Sequence, residues 1–270
     1  YDHLLDNLGE MRNHGLEIGF GITPLRQKDM ELNINMNWTF ERNKLETLNG
    51  YYQGQYLTAP DIQGISDLYG AGYHGASGVC FQIVGQTLGV FYLPHCKGFA
   101  IAEDGSKRYD LTSEKYICGQ ATPKAMMGSN FDLRYKQFDI TMQVNGAFGH
   151  KIYNGTALAY MNMASMPNYN VMQGAPEMNI QDQDISDYWL EPGDYVNIDY
   201  VTLGWNVPVR SRFISRLRVA CSVNNLATIT SYSGLTPIIN SSVVDSTLGV
   251  DDKRTIPPYR TYSLALSIQF

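Results

Sequence analysis

Charge is scarce in this chain. Only 17% of its 270 residues are Asp, Glu, Lys or Arg, against roughly 25% in an ordinary soluble domain. The net charge of -6 leaves no basic excess. Without clustered Lys and Arg there is little to grip a phosphate backbone, which argues against nucleic acid as a partner. Long apolar runs are missing too. No stretch approaches the ~18–20 uninterrupted apolar residues of a membrane helix. A membrane β-barrel needs only ~10-residue alternating segments, so a strand-built membrane protein stays open. Tyr1 opens the chain without a signal-peptide pattern, which reads as a mature, processed or partial chain.

Chemistry-bearing motifs are equally sparse. The four cysteines, Cys80, Cys96, Cys118 and Cys221, form no CxxC pair, so neither a zinc site nor a thiol-redox motif is indicated. One disulfide among Cys80, Cys96 and Cys118 and a set of free buried thiols are both open readings. His3, His14, His74, His95 and His150 make no HxxxH or HExxH. Gly70, Gly72 and Gly75 fit GxGxxG in letters, but the "SGVCFQIVG" that follows reads as strand, not the helix a dinucleotide site requires. Glu103-Asp104-Gly105 and Asp251-Asp252 lack the spacing of an EF-type calcium loop and read as solvated acidic turns. No nucleophile stands beside a base. Neither enzyme activity nor a metal nor a cofactor is expected.

What the sequence does have is alternation with period two. Leu32, Ile34, Met36, Trp38 and Phe40 share one face, with Glu31, Asn33, Asn35, Asn37 and Thr39 on the other. Phe131, Leu133 and Tyr135 oppose Asn130, Asp132 and Arg134. The pattern repeats over 16–23, 138–149, 187–207, 213–225 and 259–270, where Tyr262, Leu264, Leu266, Ile268 and Phe270 align. No amphipathic helix stands out, so the chain reads as all-β and antiparallel. Short connections at 24–29, around Lys136 and at 208–215 alternate with long ones at 45–124, 151–186 and 226–258. Outer-membrane barrels alternate in this way, with short periplasmic turns and long external loops. Residues 79–93 fit either a further pair of membrane strands or a hairpin projecting outside.

A soluble sandwich also alternates, but its outer face would carry many Lys and Glu. Here the polar face is mainly Asn, Thr, Ser, Gln and Gly, as suits a wet lumen. Trp38 and Trp205 read as lipid-facing or girdle residues. Asn33, Asn35, Asn37, Asp132, Arg134, Arg216 and Arg218 read as lumen-facing. Seven strands is an odd number, and single-chain bacterial barrels have even counts from eight upward, so the segment reads as part of a larger barrel. Tyr51, Tyr52, Tyr56, Tyr69 and Tyr73 in the first long connection are candidates for ligand or lid contact.

Longer stretches carry a family resemblance. "MRNHGLEIGF" (Met11–Phe20), "VGQTLGVFY" (Val84–Tyr92), "ATPKAMMGSNFDLRYKQFDITMQVNGAFGHKIYN" (Ala121–Asn154), "DYWLEPGDYVNIDYVTLGWNVP" (Asp187–Pro208), "RVACSVNNLATITSYSGLTP" (Arg218–Pro237) and the terminal "PPYRTYSLALSIQF" resemble SusC/RagA-type TonB-dependent transporters along essentially the whole chain. The resemblance implies residues 1–270 of the C-terminal wall of a barrel of about 22 strands with a plugged lumen, the plug and N-terminal extension lying outside this chain. It implies import of glycans or peptides across a Gram-negative outer membrane. The implied partners are a SusD/RagB-like surface lipoprotein, the TonB complex and the lipid bilayer. "KIYNGTALAYMNM" and "NNLATITSYSGLTPIINS" resemble the peptide-importing branch. Tyr262 and Phe270 resemble the signal read by the barrel-assembly machinery. A passive porin or structural barrel, and a soluble secreted glycan-binding β-domain, are the competing readings.

Overall fold

The computed structural model describes residues 9–68, 73, 77–164, 166–239 and 247–270. In chain order its strands are β1 (Glu10–Arg26), β2 (Met30–Thr47), β3 (Gly50–Tyr52), β4 (Gln55–Leu57), β5 (Ile62–Leu68), β6 (Ser77–Ile83), β7 (Val90–Ile101) and β8 (Lys107–Gln120). There follow β9 (Ala125–Tyr135), β10 (Phe138–Phe148), β11 (Lys151–Asn154), β12 (Leu190–Pro192), β13 (Tyr195–Val207), β14 (Arg216–Thr230), β15 (Val250–Asp251) and β16 (Thr261–Gln269).

Seven of them build one antiparallel sheet in the order β1-β2-β9-β10-β13-β14-β16. These are the alternating segments of the sequence, and each pairs with the next in chain order once the long connections are skipped. The first long connection does not enter this wall. Its strands make a separate sheet, β5-β6-β7-β8, and a small hairpin, β3-β4, so residues 79–93 project beyond the wall instead of adding staves to it. All three long connections leave from the same end of the wall, and the short turns lie at the other.

Several strand limits differ from those the alternation suggests. β1 begins at Glu10 and runs through Pro24, where its register against β2 slips between Ile22 and Leu25; a proline without an N–H is accommodated at such an irregularity. Residues 187–207 are not one stave. A 3-10 turn at Asp187–Trp189 leads into β12, which pairs with β11 outside the wall, and Pro192 and Gly193 end it before β13 starts at Tyr195. Residues 213–215 belong to a turn, because Ser211 Oγ accepts the amides of Phe213 and Ile214. Two short helices, α1 (Gly155–Tyr160) and α2 (Ala175–Met178), lie in the second long connection. They are too short to show a helical period in the sequence; α1 is fixed by its cap, Asn154 Oδ1 accepting the Ala157 amide at 2.8 Å.

The buried core is in the loops, not in the wall. Leu68, Val79, Phe91, Leu93, Tyr153, Leu158, Leu248 and Val250 pack into one cluster drawn from all three long connections, so these fold together into a rim.

Candidate functional site: the polar wall and its rim

The wall is apolar where it is most exposed. Ile22, Ile34, Phe131, Met142, Val201, Val223 and Tyr262 are successive partners across all seven strands, so one continuous row crosses the sheet. On this face Ile18 is 46%, Leu203 53% and Leu264 79% exposed. Soluble monomers do not leave contiguous apolar faces of this size in water. Aromatic residues mark the two ends of the band. Trp38 stacks with Phe40 and Phe148 near the rim, at 6.2 and 5.9 Å. Phe138 stacks with Trp205 near the short turns, at 6.1 Å. From Phe138 to Phe148 a strand rising ~3.4 Å per residue and tilted ~45° climbs about 24 Å. That matches the ~25 Å height of the lipid-facing band in outer-membrane barrels, with its aromatic girdles.

The opposite face is polar along the same register, with Asn33, Asp132, Thr141, Thr202, Ser222 and Ser263 forming one cross-strand row. Near the short turns it is charged and internally paired. Glu31 lies 3.2 Å from Arg134 and 3.8 Å from Arg26, and Asn33 Nδ2 donates to it. Arg218 pairs with Asp139, and Arg216 donates to Asn206 Oδ1 at 3.1 Å. Towards the rim the face becomes a band of amides. Asn145 and Asn197 both donate to Asp199, and Thr228 donates to Asn197 at 2.7 Å. Asn37 and Asn145 both reach over Gly128, whose lack of a side chain gives them room. The polar face thus has charges that are largely answered at one end and neutral donors and acceptors at the other.

The rim is tied together by carboxylates. Asp187 takes the Cys96 amide at 2.8 Å, the Tyr116 hydroxyl at 2.6 Å and His95 Nδ1 at 2.7 Å, clasping the second connection to the β7-β8 hairpin. Burial pushes the Asp187 carboxyl up, but its three partners outweigh that and hold it below the usual range. Asp251, only 2% exposed, accepts from Thr156 and Tyr232 at 2.8 Å each. Glu191 accepts from Asn154 and from both the amide and hydroxyl of Ser233. His150 is buried where the wall meets the rim, and burial lowers its pKa against the opposing pull of Asp194.

The tyrosines singled out in the sequence separate. Tyr51 is 75% exposed and lies against Tyr56, ring centroids 4.9 Å apart, at the tip of the β3-β4 hairpin. Tyr52 accepts from the Gln53 amide beside them. Tyr73 is instead buried in the rim core, under Lys253 Nζ at 3.9 Å, so the structure gives it a packing position. Tyr69, His3, His74 and Gly70, Gly72 and Gly75 of the glycine pattern lie outside the described residues. The four cysteines are free thiols. Burial raises the Cys80 and Cys118 thiols to about 12 and about 11. Glu31, Asp139, Asn145, Asn197 and Asp199 join Asn33 and Arg134 on the polar face; the alternation that marks Asn33 and Arg134 marks the first three as well. The Asp187, Asp251 and Glu191 clasps have no local signal, because their partners lie far away in sequence.

No family model matches the chain. It is similar along 98% of its length to TonB-dependent receptor P3 of Formosa agariphila, at 26% identity and covering 29% of that protein. It is similar along 99% of its length to TonB-dependent receptor SusC of Bacteroides thetaiotaomicron, at 22% identity and covering 27% of that protein. Among solved structures, the RagAB peptide importer in its closed-closed state matches with a TM-score of 0.72 at 16% identity, over 98% of this chain and 30% of that one. The open-open state of the same importer matches with a TM-score of 0.65. The chain therefore resembles SusC/RagA-type proteins over its whole length and has the fold of the corresponding wall. It spans under a third of the length of these relatives. Those relatives are receptors and an importer, not enzymes, in keeping with the lack of a catalytic motif in the sequence.

Proposed function

We propose that this chain is the C-terminal wall and rim of an outer-membrane nutrient importer of the SusC/RagA type. In this reading the importer takes up oligopeptides or glycans through a plugged barrel, under a SusD/RagB-like lipoprotein lid, with energy from TonB. The observation that carries the reading is the wall itself: an exposed apolar band about 24 Å high between two aromatic rows, backed by a polar face. An open sheet cannot survive in lipid with unpaired edges. β1 and β16 each pair on one side among the described residues, which supports their joining further staves of a larger barrel. Similarity to two TonB-dependent receptors supports import. Likeness to the wall of a peptide importer favours peptides over glycans as cargo.

Roles divide along the wall. The amide band from Asn35 and Asn37 to Asn145 and Asn197 would meet a hydrated cargo by hydrogen bonding, without a strong field of either sign. The paired charges around Arg134 and Arg218 would face the plug. Tyr51 and Tyr56, paired and exposed on the rim, would meet cargo or lid. Tyr262, on the lipid face of β16, and Phe270, the residue that follows this strand, would be read by the assembly machinery.

The test is fractionation followed by uptake. The protein is expected in the outer-membrane fraction, and uptake of labelled oligopeptides is expected to stop when the energising complex is disabled. Recovery in the aqueous fraction would overturn the membrane reading. Uptake that persists without the energising complex would make the barrel a passive pore.

A further inference from the structure

We propose that the short-turn end of the apolar face holds one glycerophospholipid, its acyl chain in a groove walled by Met30, Leu133, Tyr135, Phe138 and Ile140 and its phosphate against Lys136. The inference rests on reading the seven-stranded sheet as a membrane wall. The groove runs across β2, β9 and β10, where Met30, Tyr135 and Phe138 are register partners and Leu133 faces Ile140. Its volume is about 360 Å³ and its lining is aliphatic and aromatic, within the size range of roughly 300–1,000 Å³ typical of ligand pockets. A long flexible hydrocarbon is the chemistry that fills such a groove in a bilayer.

Lys136 supplies the polar half of the site. It occupies the β9-β10 turn in the left-handed conformation, φ 52°. Its amide donates to Asp29 O at 2.7 Å, which pins this turn against the β1-β2 turn. Its Nζ stands 5.4 Å from the centre of the Tyr135 ring. The ammonium thereby stands over a ring that lines the groove and belongs to the apolar face. Among the described residues no carboxylate forms an ion pair with it. Stacked Phe138 and Trp205 set this level as the membrane interface, the depth at which a lysine meets lipid phosphate.

The test counts lipids on the intact membrane protein. The protein is extracted in mild detergent and its retained phospholipids are read by native mass spectrometry. Three variants are compared with the wild type: Lys136→Asn, Leu133→Trp and, as a control on the rim, Lys97→Asn. Asparagine tolerates the left-handed turn, so the first variant removes charge without straining the chain, and the second fills the groove. Loss of one bound phospholipid in both, with none lost in the control, is expected. Retention unchanged in both variants would overturn the site. Loss in Leu133→Trp alone would overturn the phosphate assignment, and a polypeptide co-purifying on the groove in place of lipid would overturn the choice of ligand. Wild-type protein found in the aqueous fraction would sink the membrane reading instead, so the two failures are told apart.

Discussion

Arg218 on β14 and Asp139 on β10 form an ion pair that reaches across the strand between them, directly over Gly204 of β13. A Cβ at Gly204 would run into both side chains. The glycine is therefore part of the pair: its bare Cα is the floor on which a diagonal, two-strand contact can lie flat.

Gly204→Ala is expected to break this pair as effectively as Arg218→Gln. Both partners are half-buried, so the cost falls between an exposed and a buried ion pair, about 1–2 kcal/mol. The double variant should cost little more than either single one. Urea unfolding of the membrane-embedded protein measures this, and full additivity would show that glycine and pair are independent.

Val201 and Thr202 are neighbours on opposite faces at mid-height. Val201→Arg places a charge in the lipid and is expected to cost about 2–4 kcal/mol, whereas Thr202→Arg on the lumen side should cost far less. Equal losses in the amount of assembled barrel would contradict the assignment of faces.

Phe91 is fully buried in the rim core. Phe91→Ala is expected to destabilise the rim by about 3–5 kcal/mol while the wall still assembles. Protease added to intact cells should then cut within residues 45–124 of a barrel that keeps its normal membrane level. Loss of the membrane level would mean that rim and wall fold as one unit.

His150 gives the rim a pH dependence. Its folded pKa lies below the ordinary 6.5 because burial opposes the charged form, Asp194 only partly compensating. The unfolded chain therefore takes up the proton first. Stability from this group is present above pH 6.5 and is lost as the pH falls from there through the lower folded value. Melting curves of the wild type should drop across that window more steeply than those of His150→Phe; parallel curves would refute the assignment.

Tyr51 and Tyr56 stand clear of the rim core. Replacing both with Ala is expected to leave the melting temperature unchanged and to weaken capture of cargo or lid. A fall in melting temperature would make the pair structural.

Legibility tracks distance along the chain. Alternation alone puts Trp38, Leu203 and Tyr262 on the apolar face and Asn33, Asp132 and Arg218 on the polar one. A strand turns its side chains over at every residue and so records its two environments in the sequence. The break in 187–207 is not visible that way, since β12 keeps an extended backbone but pairs with β11 outside the wall. Tyr73 has the sequence setting of a surface tyrosine in a polar loop; the packing of Leu68, Leu158 and Val250 around it comes from segments nearly two hundred positions apart.

The sequence by itself determined the presence of seven staves, their alternating direction and the face of each residue that keeps the period-two register, but not the faces of Asn197 and Asp199 beyond the irregularity in β13. Those follow from period-two patterning and from the lengths of the connections, both local properties of the chain. The tertiary structure alone decided that the long connections build a rim with its own core. It also decided that Asp187 answers His95 across 92 positions and Arg218 answers Asp139 across 79. Such pairs exist only once register and loop closure are fixed, and neither is written in the neighbours of the residues that use them.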